Sequence, residues 1–218
     1  MKNLAMTPKL TLVFILFGSI LLIGLGAPAY ALGREALRNA IFSELLSTSL
    51  EKESSLADWV QQQETTVAGI ADHPHLREIV AAYLAAPADS PAAVSAQEEI
   101  RKDLLAWVGD GARYYRLELL DASTGRVLVA SDPNEEGKFR EAQPYFLQGL
   151  QSANVQNPTY DIAHNGAVML AGAPIRSPAG ATIAVLGGML NTAGMNAIIE
   201  RRTGLRQTDD AFLVKRSN

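Results

Sequence analysis

The stretch YYRLELLDASTGRVLVAS, residues 114–131, is where the hydrophobic pattern of this chain changes from helical to strand-like. Residues 114–121 and 126–131 read as two strands, joined by Ala122-Ser123-Thr124-Gly125, a turn with glycine at its end. Downstream, residues 132–137 form a polar loop and Pro144 opens a short helix through Tyr145, Phe146, Leu147 and Leu150. Residues 160–164 and 167–174 flank Asn165-Gly166, a strong hairpin signal. Ser177-Pro178-Ala179-Gly180 then turns the chain into 181–190, so apolar that it reads as a central strand covered on both faces. Thr192 is expected to cap a helix running to about Arg202, and 211–214 reads as a final strand.

Upstream of residue 114 the pattern is helical. Ile100, Leu104, Leu105, Trp107 and Val108 give one helix a buried face; it starts at Ser90-Pro91 and stops at Gly109-Asp110-Gly111. A shorter helix begins at Asp72-His73-Pro74, with a capping side chain and proline in its first turn, and carries Leu76, Ile79, Val80, Tyr83 and Leu84. Residues 34–71 contain no glycine before Gly69 and no proline. Leu37, Ile41, Leu45, Leu56, Trp59, Val67 and Ile70 recur there at helical spacing, predicting an amphipathic helix about 50 Å long. Its distal half can pack on the domain while its proximal half serves as a stalk.

Before that helix lies LTLVFILFGSILLIGLGA, residues 10–27, uncharged and long enough to span a hydrocarbon core. Lys2 and Lys9 precede it, which places the N-terminus on the cytoplasmic side. The length favours an uncleaved anchor over residues 10–28. Ala27-Pro28-Ala29 and Ala29-Tyr30-Ala31 nevertheless have the small-x-small spacing of a signal-peptide cleavage site. With either outcome the remainder is exported. The expected organisation is a cytoplasmic N-terminus (1–9), the anchor (10–28), a stalk or packing helix (29–71) and an α+β module with an antiparallel sheet and flanking helices (72–218).

The chain has 218 residues, a net charge of −4 and no cysteine. Thiolate metal sites, disulfides and cysteine nucleophiles are excluded. Its mild acidity argues against a nucleic-acid surface, which needs a basic face. His73 and His75 are two residues apart at a helix start and point in different directions, and His164 sits beside a turn. There is no Gly-x-Ser-x-Gly elbow and no phosphate-binding loop, so the reading is of a non-enzyme without a cofactor.

Four segments, in order, resemble the Cache family of extracytoplasmic sensor domains: LELLDASTGRVLVAS (117–131), PYFLQGL (144–150), AGAPIRSPAGATIAVLGGML (171–190) and TGLRQTDDAFLV (203–214). The resemblance is to the membrane-distal module of a double Cache and covers about residues 37–214. It implies a PAS-like sheet whose distal face, capped by loops and the short helix, holds a small ligand. It also implies the input of a bacterial inner-membrane receptor of the histidine kinase, cyclase or chemoreceptor type. In such receptors a second module, a second membrane helix and a cytoplasmic output follow, so this chain is expected to be the N-terminal part of one or a truncated relative.

Family members that bind amino acids carry Arg-x-Trp-Tyr and later Tyr-x-Asp. The matching positions here are Gln143, Tyr145 and Phe146, then Tyr160 with Ile162 in place of the aspartate. Gln143 cannot make the bidentate contact of an arginine to a carboxylate. Asp161 is one residue out of register, so an amino acid bound in the usual way is disfavoured. Tyr145, Tyr160 and Asp161 are the leading pocket candidates, with Arg116, Gln143 and Met169 on neighbouring elements; the competing reading has these aromatics filling core. The expected partners are an unidentified small molecule, the membrane and a second copy docked through the long helix, with no nucleic acid. The alternatives are a tethered or secreted protein that presents its ligand to another receptor, and a non-binding stalk.

Overall fold

The computed structural model describes residues 6–109, 111–161 and 166–201. Helix α1 (Met6–Ala71) is continuous and contains Pro28, so the expected division between anchor and stalk is not a break in the helix. An internal proline costs one helical hydrogen bond. The N-terminal part of α1 is long and apolar enough to cross a membrane, and its large side chains from Leu10 to Leu25 are exposed.

The chain divides into two compact units, one containing α1 up to Lys52 and the other beginning at Glu53. In the second unit α2 (Pro74–Ala85) and α3 (Pro91–Leu105) follow the end of α1. Pro91 occupies the first turn of α3, and Ser90 caps it by accepting from the Ala93 amide at 3.2 Å. At the start of α2 the N-cap is His73, which makes no side-chain cap, so the capping role expected from the Asp72-His73-Pro74 signal is carried by proline alone.

Next come β1 (Tyr114–Asp121), β2 (Val127–Ala130), a short 3-10 turn (Pro133–Glu135), α4 (Pro144–Gly149), β3 (Asn154–Val155), β4 (Thr159–Asp161), β5 (Gly166–Val168), β6 (Leu170–Arg176), β7 (Thr182–Leu190) and α5 (Ala193–Glu200). The main sheet is antiparallel, in the order β2-β1-β7-β6-β3. The apolar strand 181–190 is therefore central, as its composition requires. Its second half is buried on both faces.

Three local readings change. The expected single hairpin across 160–174 is divided: β4 and β5 form their own two-stranded sheet, and after Met169 the chain enters the main sheet as β6. The two-residue edge strand β3 has no sequence signature and exists because β6 offers it a partner. At α5 the Thr192 side chain makes no cap; Asn191 Oδ1 accepts from the Ala193 amide instead. The turn residues 162–165 and the expected ending at 203–214, with its final strand, lie outside the described residues.

The sheet has two covered faces. On one, Val67, Ile70 and Ala71 of α1, Leu76 and Val80 of α2, and Ile100 and Leu104 of α3 cluster with Leu117, Leu119, Ala173, Ile175 and Leu186. Leu56, Trp59 and Val60 extend this cluster, so α1 beyond residue 53 is part of the core. On the other face, Tyr145 and Phe146 of α4 meet Leu120, Val127, Ala130 and Val185. Each fully buried leucine contributes roughly 1.5–3 kcal/mol of transfer free energy, and the first face holds most of them.

Candidate functional site

The site is built where α4 lies flat on the sheet. Pro144 stands in its first turn and Gln143 is its N-cap. Two missing side chains let the helix descend. A Cβ on Gly172 would fall 2.2 Å from the Tyr145 carbonyl oxygen, and one on Gly187 would fall 2.8 Å from Cε2 of the Tyr145 ring. The buried Asn154 side chain fastens the seam, its Nδ2 donating at 3.3 Å to the carbonyl oxygens of both Tyr145 and Gly172.

Beneath the ring lies a carboxylate. Glu118 pairs with Gly187 across β1 and β7, and with no side chain at Gly187 the Tyr145 ring sits beside the Glu118 Cγ. Glu118 is an acidic residue only 3% exposed, and it stands on a strand in phase with Leu120. The Tyr145 hydroxyl donates to Glu118 Oε1, and Arg140 Nε donates to the same oxygen at 3.4 Å. Arg116 Nε lies 3.9 Å from Glu118 Oε2, an ion pair beyond hydrogen-bond reach, and Oε2 accepts no hydrogen bond among the described residues.

A second carboxylate completes the cluster. Glu135 accepts from Lys138 Nζ at 2.8 Å and from Arg140 Nη2, and lies 3.5 Å from Arg116 Nη1. The arginines thus bridge two acids, one buried and one nearer solvent. Burial opposes ionisation of Glu135, but Lys138, Arg116 and Arg140 outweigh it and hold the carboxyl below its ordinary value. Burial likewise opposes the charge of Arg140, and Glu118, Tyr145 and Glu135 outweigh that and hold it protonated. Burial, and then the negative charge of Glu118, push the Tyr145 hydroxyl well above the ordinary tyrosine range. It is a neutral donor throughout the physiological range.

The sequence candidates are distributed as follows. Tyr145 and Arg116 meet in this cluster through Glu118. Gln143 is exposed at the α4 N-cap. Tyr160, 68% exposed, and the half-buried Asp161 lie on β4, in the separate hairpin. Met169 is buried in the cluster on the opposite face, with Leu190 and Met195. Glu118, Arg140, Glu135 and Lys138 escape the sequence reading. The available signal was Arg116-x-Glu118-x-Leu120, two charges sharing a strand face with a buried leucine.

No family model matches the chain, and no curated protein matches it significantly. Solved structures do. The sensor domain of the V. cholerae histidine kinase DctB aligns with a TM-score of 0.59 at 11% identity, covering 76% of this chain and 61% of that one. The sensory domain of the Campylobacter jejuni chemoreceptor Tlp3, solved with isoleucine bound, aligns with a TM-score of 0.51 at 12% identity, covering 72% and 62%. The same receptor's ligand-binding domain in complex with L-valine gives 0.50 at 12% identity, with the same coverage. The chain spans about three fifths of the length of each of these solved domains. At these identities the likeness concerns the fold, and the fold is that of the Cache-type sensor domains.

Proposed function

We propose that the chain is the extracytoplasmic, small-molecule-sensing input of a membrane receptor, with its ligand bound on the α4 face of the sheet. One observation carries this reading: an ionic cluster of Arg116, Glu118, Arg140 and Tyr145 beneath α4, with Glu118 and Tyr145 buried and the two arginines partly buried, on the face opposite the main core. A buried ion pair adds little to stability by itself, because desolvation offsets most of the attraction between its charges. A few convergent polar groups beside apolar and aromatic side chains, on a fold used for sensing, are of the kind that orient a small molecule. Tyr160 and Asp161 on the β4–β5 hairpin, and Gln143 at the α4 N-cap, are proposed as the rim; Met169, on the other face, would act only through packing.

Residues 10–28 would anchor the chain, with residues 1–9 cytoplasmic and the module beyond the membrane. The unbroken helix through Ala27–Ala31 supports anchoring over cleavage. Leu37, Ile41 and Leu45 are exposed at helical spacing, and we assign them to a seam with a second copy of the chain. Leu117 and Leu119 of β1 face the cluster that contains α1, while Glu118 faces α4. A ligand that shifts β1 would therefore bias α1, and helix displacement is the proposed output.

The test is thermal unfolding of the full chain in micelles against a panel of amino acids, organic acids, amines and nucleobases. At about five times its Kd a binding compound should raise Tm by about 2–4 °C. Tyr145→Phe and Asp161→Ala should each reduce that shift; the first keeps the buried ring and the second is a half-buried position on β4, so both variants should still fold. A panel without any response, or shifts unchanged in both variants, would overturn the reading.

A further inference from the structure

The Glu118 carboxylate lies where three groups that recognise carboxylates converge. The Tyr145 hydroxyl and Arg140 Nε both donate to its Oε1, and Arg116 stands 3.9 Å from its Oε2. Neutral and cationic donors converging on one point inside a sheet–helix seam form an anion seat. In this protein the seat is filled by a side chain of the same domain. The surrounding charges show how much depends on that. Arg116, Arg140 and Lys138 face Glu118 and Glu135, and without Glu118 three cations would face one acid.

We propose that Glu118 is the specificity determinant of the α4 face: a tethered carboxylate that occupies the seat a ligand carboxylate would need. With Glu118 in place the site rejects small carboxylates. With Glu118 removed, the same seat becomes a binding site for a small carboxylate. The inference rests on the proposed function only in treating this face as the ligand face. The seat itself is read from the contacts.

The geometry supplies a direct probe. Glu118→Ala deletes Cγ, Cδ, Oε1 and Oε2, which are the heavy atoms of acetate. The experiment is thermal unfolding of the full chain in micelles, in sodium acetate and in sodium chloride at matched ionic strength. Glu118→Ala should unfold below the native chain in chloride. Acetate at about five times its Kd should then raise its Tm by about 2–4 °C. The native chain should show the same Tm in both salts, and adding Arg140→Ala to Glu118→Ala should abolish the acetate response.

A folded Glu118→Ala that ignores acetate, or a native chain that responds equally, would overturn the proposal. If Glu118→Ala does not fold, Glu118→Gln keeps the packing and removes the charge. Its Tm should rise with anion concentration more steeply than that of the native chain, and an identical salt dependence would overturn the proposal. A metabolite panel without a response would end the ligand-sensing reading and leave the acetate result standing, so the two fail separately.

Discussion

The hydroxyl of Tyr145 donates to the buried carboxylate of Glu118, tying the short helix α4 to strand β1 across the face of the sheet. Removing that donor leaves the Glu118 Oε1 with only the longer, 3.4 Å hydrogen bond from Arg140. Tyr145→Phe should therefore destabilise the domain by about 1.5–3 kcal/mol, the range for a hydrogen bond to a charged group. Chemical unfolding followed by circular dichroism measures it. A double-mutant cycle with Glu118→Gln should show coupling between the two positions, because they share the contact.

Gly172 and Gly69 should respond to alanine with opposite signs. At Gly172 the new Cβ would collide with the Tyr145 carbonyl, so α4 must lift from the sheet. We expect a loss of about 1–3 kcal/mol, as for overpacking elsewhere. Gly69 is exposed on α1 with nothing near its missing Cβ, and alanine there should gain about 0.5–1 kcal/mol through helix propensity. Unfolding midpoints of the two variants separate the cases.

Alkaline pH should unfold this domain through its buried tyrosines. Burial pushes the Tyr114 hydroxyl up to about 12, and that oxygen has no hydrogen-bond partner among the described residues. Tyr145 is raised as well, by burial and then by Glu118. A tyrosine in the unfolded chain ionises near pH 10. Above that pH the unfolded state binds fewer protons than the native state, so stability falls as pH rises. The contribution is complete below about pH 10 and is lost toward pH 12 for Tyr114. Tyr114→Phe should leave neutral-pH stability within about 0.5 kcal/mol, since it removes an unpaired hydroxyl, and should lessen the alkaline loss. Phenolate absorbance recorded during a pH titration follows both steps.

The proposed topology has its own test. A periplasm-dependent reporter fused after residue 201 should be active, and the same reporter fused after residue 5 should be inactive. Fractionation should place the chain in the membrane pellet. Release of a soluble product beginning near Ala31 would point to cleavage.

Much of the fold was legible because it is specified locally. Ser90-Pro91 starts a helix with its own side chain and ring, and residues 181–190 are too apolar for any strand but a central one. The elements that were not legible depend on partners distant in sequence. Asn154–Val155 is a strand only because β6 lies beside it, and the break at Met169 reflects that residue's place in the main core. The site was partly legible. Tyr145 could be found from its motif and Arg116 from its strand, but Glu118 reads as one more polar residue until Gly187 is seen opposite it. Glu135 joins the cluster from the short 3-10 turn and Arg140 from the loop after it, where hydrophobic periodicity gives no information.

The most direct test of the central claim is amide hydrogen exchange of the full chain in micelles, with and without a compound that raises its Tm. Sensing on the α4 face requires new protection in residues 144–149 and in β1 around Glu118, with a smaller change along α1 from residue 53 to 71. Protection confined to α2 and α3, with α4 and β1 unchanged, would contradict it.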